Sequence, residues 1–387
     1  MNNSITDIFN KYFNYLPNKT YFSPGRVNII GGHTDYNGGA VLPFCINLGI
    51  YGAITFRNDS MINVYSHNFS NLGTVSFDLD KLEQAKDLGF VDYVVGTILI
   101  YKENGYLINK GFDLAIHGNL PKGGGLSSSA AFLVLIGNMF NDYFNFNLSG
   151  AEIAKLARFV ENDYIGVKCG IMDQFIIANG LKDHALYLET DTLNYEHVPL
   201  ILDDYKLVLV NSRTTRKLVE SNYNTRQQES LDVLNILKEH VDINHICELD
   251  PDDYYKYEKY ISDIELKKRF KHLVDEHHRV VLSKDALINK AYISLGKLLT
   301  EAHHSAKDLY KVSSDTLDNL VEIGISSGSI GSKMIGGGFG GSTLNLVKAS
   351  HLDSFLNVFT ENYKKVYHQE PIINIVYPMD KAGEIND

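Results

Sequence analysis

Between Gly25 and Gly39 the chain reads Gly-Arg-Val-Asn-Ile-Ile-Gly-Gly-His-Thr-Asp-Tyr-Asn-Gly-Gly. His33, Asp35, Tyr36 and Asn37 fall on one connection between apolar runs, and they supply the donors and acceptors that a polyhydroxylated ligand demands. The same composition suits a solvated turn, so the stretch gains meaning only from its company. Pro121-Lys122-Gly123-Gly124-Gly125-Leu126-Ser127-Ser128-Ser129-Ala130-Ala131 leads into the apolar run Phe132 to Phe140. Glycines let the backbone approach a ligand closely, and a following helix aims free N–H groups and its positive dipole end at an anion. The serine hydroxyls add donors or a magnesium ligand. No Gly-Lys-Ser/Thr closes the stretch as in a Walker A loop, and the third glycine of a dinucleotide fingerprint is missing. Three serines entering a long apolar helix fit an anion-binding turn better than a Gly/Ser spacer.

Two acidic residues come next. Asp173 sits in the apolar stretch Cys169-Gly170-Ile171-Met172-Asp173-Gln174-Phe175, where a carboxylate must be paired or functional to offset its desolvation; a buried structural aspartate is the alternative. Glu161 closes a helical pattern and by itself reads as solvated, although it could reach a metal. Ile335-Gly336-Gly337-Gly338-Phe339-Gly340-Gly341-Ser342 satisfies G-x-G-x-x-G formally, but a strand-like segment follows it, which points away from dinucleotide binding. A protein kinase also has such a loop between strands, yet the chain contains no H-R-D or D-F-G triplet. A polyol-binding loop, a phosphate cradle, two carboxylates near a glycine turn and a second glycine-rich loop make up the parts for phosphoryl transfer to a sugar.

The elements that hold these parts are legible from periodicity. Val27, Ile29 and Ile30 read as a strand and Ala40 to Phe56 as further strand, so the His33–Asn37 connection has rigid flanks. Ile5, Ile8, Phe9, Tyr12, Phe13 and Leu16 share one helical face, which predicts a docked N-terminal helix. A helix over Ala151 to Tyr164 leads into the turn around Gly166 and Gly170. After a strand at Leu207 to Val210, helices dominate from about Glu229 to Tyr310, and strands return at Ser342 to Val347 and Ile372 to Val376. The expected class is α+β, with an N-terminal domain over 1–195 and a C-terminal domain over 196–387. The 387 residues, 44% apolar, can bury a large core, and a net charge of −11 argues against a nucleic-acid or anionic-membrane surface. Three well-separated cysteines suggest neither a disulfide framework nor a zinc site, and a cytoplasmic location is expected.

With these motifs in order, the sequence resembles the galactokinases of the galactokinase, homoserine kinase, mevalonate kinase and phosphomevalonate kinase (GHMP) superfamily over nearly its whole length. The resemblance implies a two-lobed α+β fold with the active site between the lobes. It implies conversion of ATP and α-D-galactose to ADP and galactose 1-phosphate, with Mg2+, in galactose catabolism. By the same resemblance, Arg26 meets the transferring phosphate and Asp173 orients or deprotonates the anomeric hydroxyl. Gly32, His33, Asp35, Gly170 and Tyr223 line the sugar. Ser66, Gly123, Gly124, Gly125, Leu126, Ser127, Ser128 and Ser129 bind ATP, with Ser129 and Glu161 on magnesium. The expected partners are galactose and ATP, without nucleic acid or membrane, and the protein is expected to be a monomer or weak homo-oligomer.

Three positions depart from the family pattern. Gly32 stands where galactokinases have a glutamate, Phe90 replaces a tryptophan expected near adenine, and Lys307 stands where an arginine is usual. Gly32 keeps a kinase for a related sugar such as N-acetylgalactosamine open as an alternative. A catalytically silent galactose and ATP sensor on the same fold is the other; such sensors lack the Ser-Ala step of the phosphate loop, which Ser129-Ala130 retains.

Overall fold

The computed structural model describes residues 4–85, 87–213 and 219–386. These residues form thirteen strands, beginning with β1 (Lys19–Asn28), β2 (Ala40–Val41), β3 (Pro43–Phe56), β4 (Met61–Ser66), β5 (Thr74–Asp78) and β6 (Phe112–Gly118). There follow β7 (His184–Glu189), β8 (Tyr195–Pro199), β9 (Tyr205–Asn211), β10 (Gly331–Ile335), β11 (Ser342–Lys348), β12 (Ile372–Val376) and β13 (Gly383–Ile385). A six-stranded sheet runs β13-β1-β3-β6-β4-β5, a four-stranded sheet β10-β11-β9-β12 and a three-stranded sheet β2-β7-β8. β13 brings the end of the chain back to β1, with Thr20 opposite Ile385. The helices of the first half are α1 (Ile5–Phe13), α2 (Asp92–Glu103), α3 (Ser128–Phe144), α4 (Gly150–Phe159) and α5 (Met172–Asn179). Those of the second are α6 (Val219–Lys238), α7 (Pro251–Tyr257), α8 (Ile264–Ile288), α9 (Tyr292–Ser305), α10 (Asp315–Ser326) and α11 (Leu352–Tyr367). The architecture is α+β, as expected.

The predicted N-terminal helix is α1, started by the Ser4 side chain accepting from the Asp7 N–H and stopped by Asn14 in the left-handed region. Ile5, Ile8 and Phe9 dock on Ala53, Tyr65 and Ala115 of the six-stranded sheet. Leu16 is a correction: the helix ends before it, so it leaves the buried face and is 67% exposed. The apolar run after the three serines is α3, buried from Ala130 to Gly137 and lying across β1 and β3. The helix expected over Ala151 to Tyr164 is α4, opened by a capping box between Ser149 and Glu152, followed by a π-helical turn over Val160–Ile165. Such turns insert an extra residue into the helical spiral, and this one carries Glu161 inward to 5% exposure.

Two features of packing place the cleft. An apolar cluster joins Val27, Ile30 and Phe44 beneath the first glycine loop to Leu209 and Leu344 of the four-stranded sheet and to Leu299 of α9. The wall built by residues before 60 is thereby fixed to the wall built by residues after 200. The second feature is a register shift between Pro24 and Arg26 where β1 pairs with β3. Such bulges re-aim a side chain. A Cβ on Gly25 would lie 2.6 Å from Leu120 Cδ2 and 2.7 Å from the Leu126 carbonyl, and the Arg26 N–H donates to that same carbonyl at 3.2 Å. The strand carrying Arg26 is thus tied directly to the serine-glycine loop.

Candidate active site

The motifs converge on one cleft of about 590 Å3, within the range of small-molecule sites. At its centre Arg26 Nε donates to Asp173 Oδ1 at 2.6 Å and Nη2 to Oδ2 at 2.8 Å. The remaining guanidinium nitrogen, Nη1, donates to the Gly125 carbonyl at 2.7 Å. One buried cation therefore ties β1, the first turn of α5 and the phosphate-type loop together, with a planar fork matched to a carboxylate. The Ser127 hydroxyl also donates to Asp173 Oδ2. Ser127 has φ of +60°, which turns its side chain toward the carboxylate just before α3 begins.

The glycine-punctuated loop divides its labour. His33 and Asp35 line the cleft, together with Gly32, Gly170 and Tyr223. Tyr36 and Asn37 do not, which corrects the expectation that all four polar side chains face a ligand. Asn37 is buried and its amide donates to the His33 carbonyl at 2.9 Å; the Tyr36 hydroxyl is held between His33 Nδ1 at 2.9 Å and the Tyr310 hydroxyl at 3.0 Å. Asn37 satisfies a main-chain carbonyl of the tight turn, whereas Tyr36 fixes the His33 ring and ties the loop to Tyr310. Burial pushes the His33 imidazole down to about 3, against a main-chain hydrogen bond at Gly337, so it is neutral at working pH. Asp35 approaches Gly170 so closely that a Cβ there would lie 2.0 Å from Oδ2; glycine is the only residue that fits.

Sequence reasoning missed the residues that hold this loop from behind. Glu276 of α8 accepts the N–H groups of Gly31 and Gly32 on Oε1, each at 2.9 Å, and Arg279 Nε donates to its Oε2 at 2.8 Å. Burial opposes its charge, but Arg279, His272 and Lys333 hold the carboxyl down to about 2. His272 Nε2 stands 3.2 Å from the Gly32 carbonyl and its Nδ1 2.8 Å from Ser305 Oγ. The available signal was a glutamate and a histidine at i and i+4 among the buried positions Phe270, Leu273, Val274 and Val280 of one helix.

At the other end of the cleft, Gly123, Gly124, Gly125, Leu126, Ser127, Ser128 and Ser129 all line the wall, with Ser66 at the end of β4. The glycine-rich hairpin between β10 and β11 backs this loop, Ser342 Oγ donating to the Gly124 carbonyl at 2.8 Å. Glu161 is not solvated as its isolated reading suggests. It accepts from the Gln174 amide, and the Ser129 hydroxyl stands beside it. Burial raises its pKa, so oxygen donors meet an acid that a nearby cation would favour in the charged form. Phe90 lies at the mouth in a stack with Phe69, ring centroids 5.2 Å apart and planes 7° from parallel; Phe69 was also missed. Lys307 lies outside the cleft, paired with Asp318 at 3.1 Å.

A cleft of this build on this fold defines the class, a GHMP kinase. Residues 92–180 match the GHMP kinase N-terminal domain and residues 283–365 the GHMP kinase C-terminal domain, while residues 7–56 match the galactokinase galactose-binding signature. The chain is 40% identical to a galactokinase of Clostridium acetobutylicum over 385 residues, 99% of each chain. It is likewise 40% identical to a galactokinase of Bacillus subtilis over 346 residues, 89% of each. The crystal structure of Lactococcus lactis galactokinase complexed with galactose superposes with a TM-score of 0.94 at 37% identity, covering 99% of both chains. A mevalonate kinase shares the fold at a TM-score of 0.66 and 20% identity, covering 94% of this chain and 99% of its own. The chain belongs to the galactokinase family.

The carboxyl of Asp35 is raised to about 6, by burial first and then by Asp173 across the cleft. A folded-state pKa above the unfolded value contributes stability that is full below the unfolded pKa and lost as pH rises through about 6. Asp35→Asn should therefore melt above the wild type at about pH 7.5, with the gain vanishing toward about pH 4, while galactose binding weakens. A lower melting temperature at neutral pH would contradict this reading of the loop.

Proposed function

We propose that the cleft transfers the γ-phosphoryl group of ATP to the anomeric hydroxyl of α-D-galactose, with Asp173 as proton acceptor and Arg26 as electrostatic partner. The observation that carries this assignment is the Arg26–Asp173 pair at the junction of the sugar loop and the phosphate loop. A sugar hydroxyl is a poor nucleophile at neutral pH, so a carboxylate that receives its proton lowers the barrier. Asp173 has both oxygens engaged by Arg26 and one by Ser127. The anomeric hydroxyl then takes an open lone pair or the place of Ser127 Oγ, and the proton passes from the sugar oxygen to the carboxylate as the new O–P bond forms and the bond from the γ-phosphorus to the bridging oxygen breaks, releasing ADP. Arg26 keeps N–H groups free to face the equatorial oxygens, where a loose transition state spreads its charge.

Asp35 and the neutral His33 hold sugar hydroxyls against Gly170 and Tyr223. The N-terminus of α3 and the Gly123–Ser129 loop hold ATP phosphates, with Ser66 and the Phe69–Phe90 stack toward the base. Ser129 and Glu161 would hold a magnesium ion, which when bound neutralises phosphate charge; their oxygen donors and the raised Glu161 carboxyl fit a hard cation. The expected state is a monomer or weak homo-oligomer. We place the boundary between N- and C-terminal domains near residue 195, before β9 opens the second large sheet. Among the described residues no helix is long and apolar enough to cross a membrane. Three unpaired cysteines suit a reducing cytoplasm. Ser129, Ala130 and Asp173 together favour catalysis over a silent sensor.

Asp173→Asn keeps the shape and removes the basicity. It should lower kcat by about 10²–10⁴-fold while calorimetric galactose affinity changes little; unchanged turnover would remove Asp173 from the chemistry. Ser129→Ala and Glu161→Gln should each raise the magnesium concentration for half-maximal rate without a change in melting temperature, and wild-type magnesium curves in both would reassign the metal. Gly32 leaves open space, since a Cβ there would meet only Glu276 Oε1, at 3.8 Å, and its φ is not in the left-handed region. Gly32→Glu should then be tolerated and raise the preference for galactose over 6-deoxygalactose in kcat/KM by on the order of tenfold, the effect of one hydrogen bond to a charged group. A preference already large and unmoved would mean that another residue holds the 6-hydroxyl.

A further inference from the structure

Lys333 is a charged residue in a buried strand that helps hold the Glu276 carboxyl down and has no role in the chemistry above. It lies on β10, 5% exposed, between the buried residues Ser332 and Met334, and it contributes to the wall of the cleft alongside Asn28, Gly31 and Gly32. Its ammonium has three donors, yet its only hydrogen bond among the described residues is a long one, 3.4 Å, to the Asn28 main-chain carbonyl. Glu276, the acidic residue that acts on it, already takes two backbone N–H groups and Arg279, and no ion pair joins it to Lys333 among the described residues. A buried ammonium short of acceptors beside a ligand cleft is costly unless the ligand supplies one. We propose that Lys333 is a ligand-binding residue of the sugar pocket, its ammonium donating to a hydroxyl oxygen of the bound sugar on the Gly32 side of the cleft.

The inference rests on the reading of this cleft as a galactose site. The surroundings make it testable by pH. Burial, together with Arg26 of β1 and Arg279 of α8, lowers the Lys333 pKa to about 8, with Glu276 opposing them. Glu276 is held down to about 2. His303 of α9, facing Lys333 with its partner Asp318 of α10, is lowered by burial to about 4. The opposite residue on β11, Leu344, carries no charge. Lys333 is therefore the group at this end of the cleft that changes charge just above neutrality, and a sugar hydroxyl bound by the ammonium must weaken its hold as that proton leaves.

The test is calorimetric titration of the full-length protein with galactose, without nucleotide, from about pH 7 to about pH 9.5, on the wild type, Lys333→Met and Lys333→Arg, with melting curves for each. Wild-type affinity should fall on the order of tenfold across the window. Lys333→Met should bind on the order of tenfold more weakly at about pH 7 and lose the pH dependence. Lys333→Arg, permanently charged, should bind more tightly than Lys333→Met with a flat profile. A lysine that only balances Glu276 would leave sugar affinity independent of pH. A flat wild-type profile overturns the proposal whether or not Lys333→Met folds, and so does a folded Lys333→Met that binds galactose like the wild type. A rise in the KM for ATP with galactose affinity unchanged would assign the ammonium to phosphate and likewise overturn it. Absence of galactose binding by the wild type at every pH would instead bring down the sugar reading of the cleft, and this inference with it.

Discussion

The bidentate pair between Arg26 and Asp173 is the interaction around which the cleft is arranged. A guanidinium at 6% side-chain exposure facing a carboxylate at 29% is expensive to bury and needs partners for each of its nitrogens in good geometry. Several features meet that demand at once. The bulge beside Gly25 aims Arg26, the Gly125 carbonyl takes its third nitrogen, and the start of α5 presents Asp173 where a helix N-terminus favours negative charge. Because the partners come from a strand, a loop and a helix, the pair fixes β1 and the start of α5 to the glycine-serine loop.

A second constraint acts from behind. The Gly31–Gly32 segment has no side chains with which to hold itself, and its backbone groups are claimed by Glu276 and His272 of α8. A helix of the second half of the chain thus sets the loop on which His33 and Asp35 stand. The result is a preorganised site with two polar groups held away from charge, His33 lowered by burial and Asp35 raised beside Asp173. Holding polar groups uncharged by burial costs stability, the usual relation between a binding site and the fold that carries it.

How much of this was legible in the chain depended on whether the signal was local. The glycine-serine loop entering α3 showed itself because an apolar helix directly follows its serines, and α1 because its periodicity is regular up to Asn14. Asp173 was visible because it interrupts an apolar run. The boundary at Leu16, the inward turn of Glu161 and the scaffold roles of Tyr36 and Asn37 were not, because a helix stop, a π-helical turn and hydrogen bonds to the His33 carbonyl and to His33 and Tyr310 side chains leave no periodic trace. Glu276, His272 and Lys333 meet the loop across more than two hundred residues of sequence. Only their polarity on otherwise buried faces marked them, and which backbone they serve is set by tertiary packing.

A double-mutant cycle on kcat, with Arg26→Met, Asp173→Asn and the two combined, is the most direct test that the pair works as one unit. If Arg26 holds Asp173 in place while the two act on opposite sides of the same proton and phosphoryl transfer, the double variant loses little more activity than the worse single variant. Losses that simply add on the logarithmic scale, with folding intact in all three proteins, would mean that the residues act independently and that the pair is not the organising element of the site.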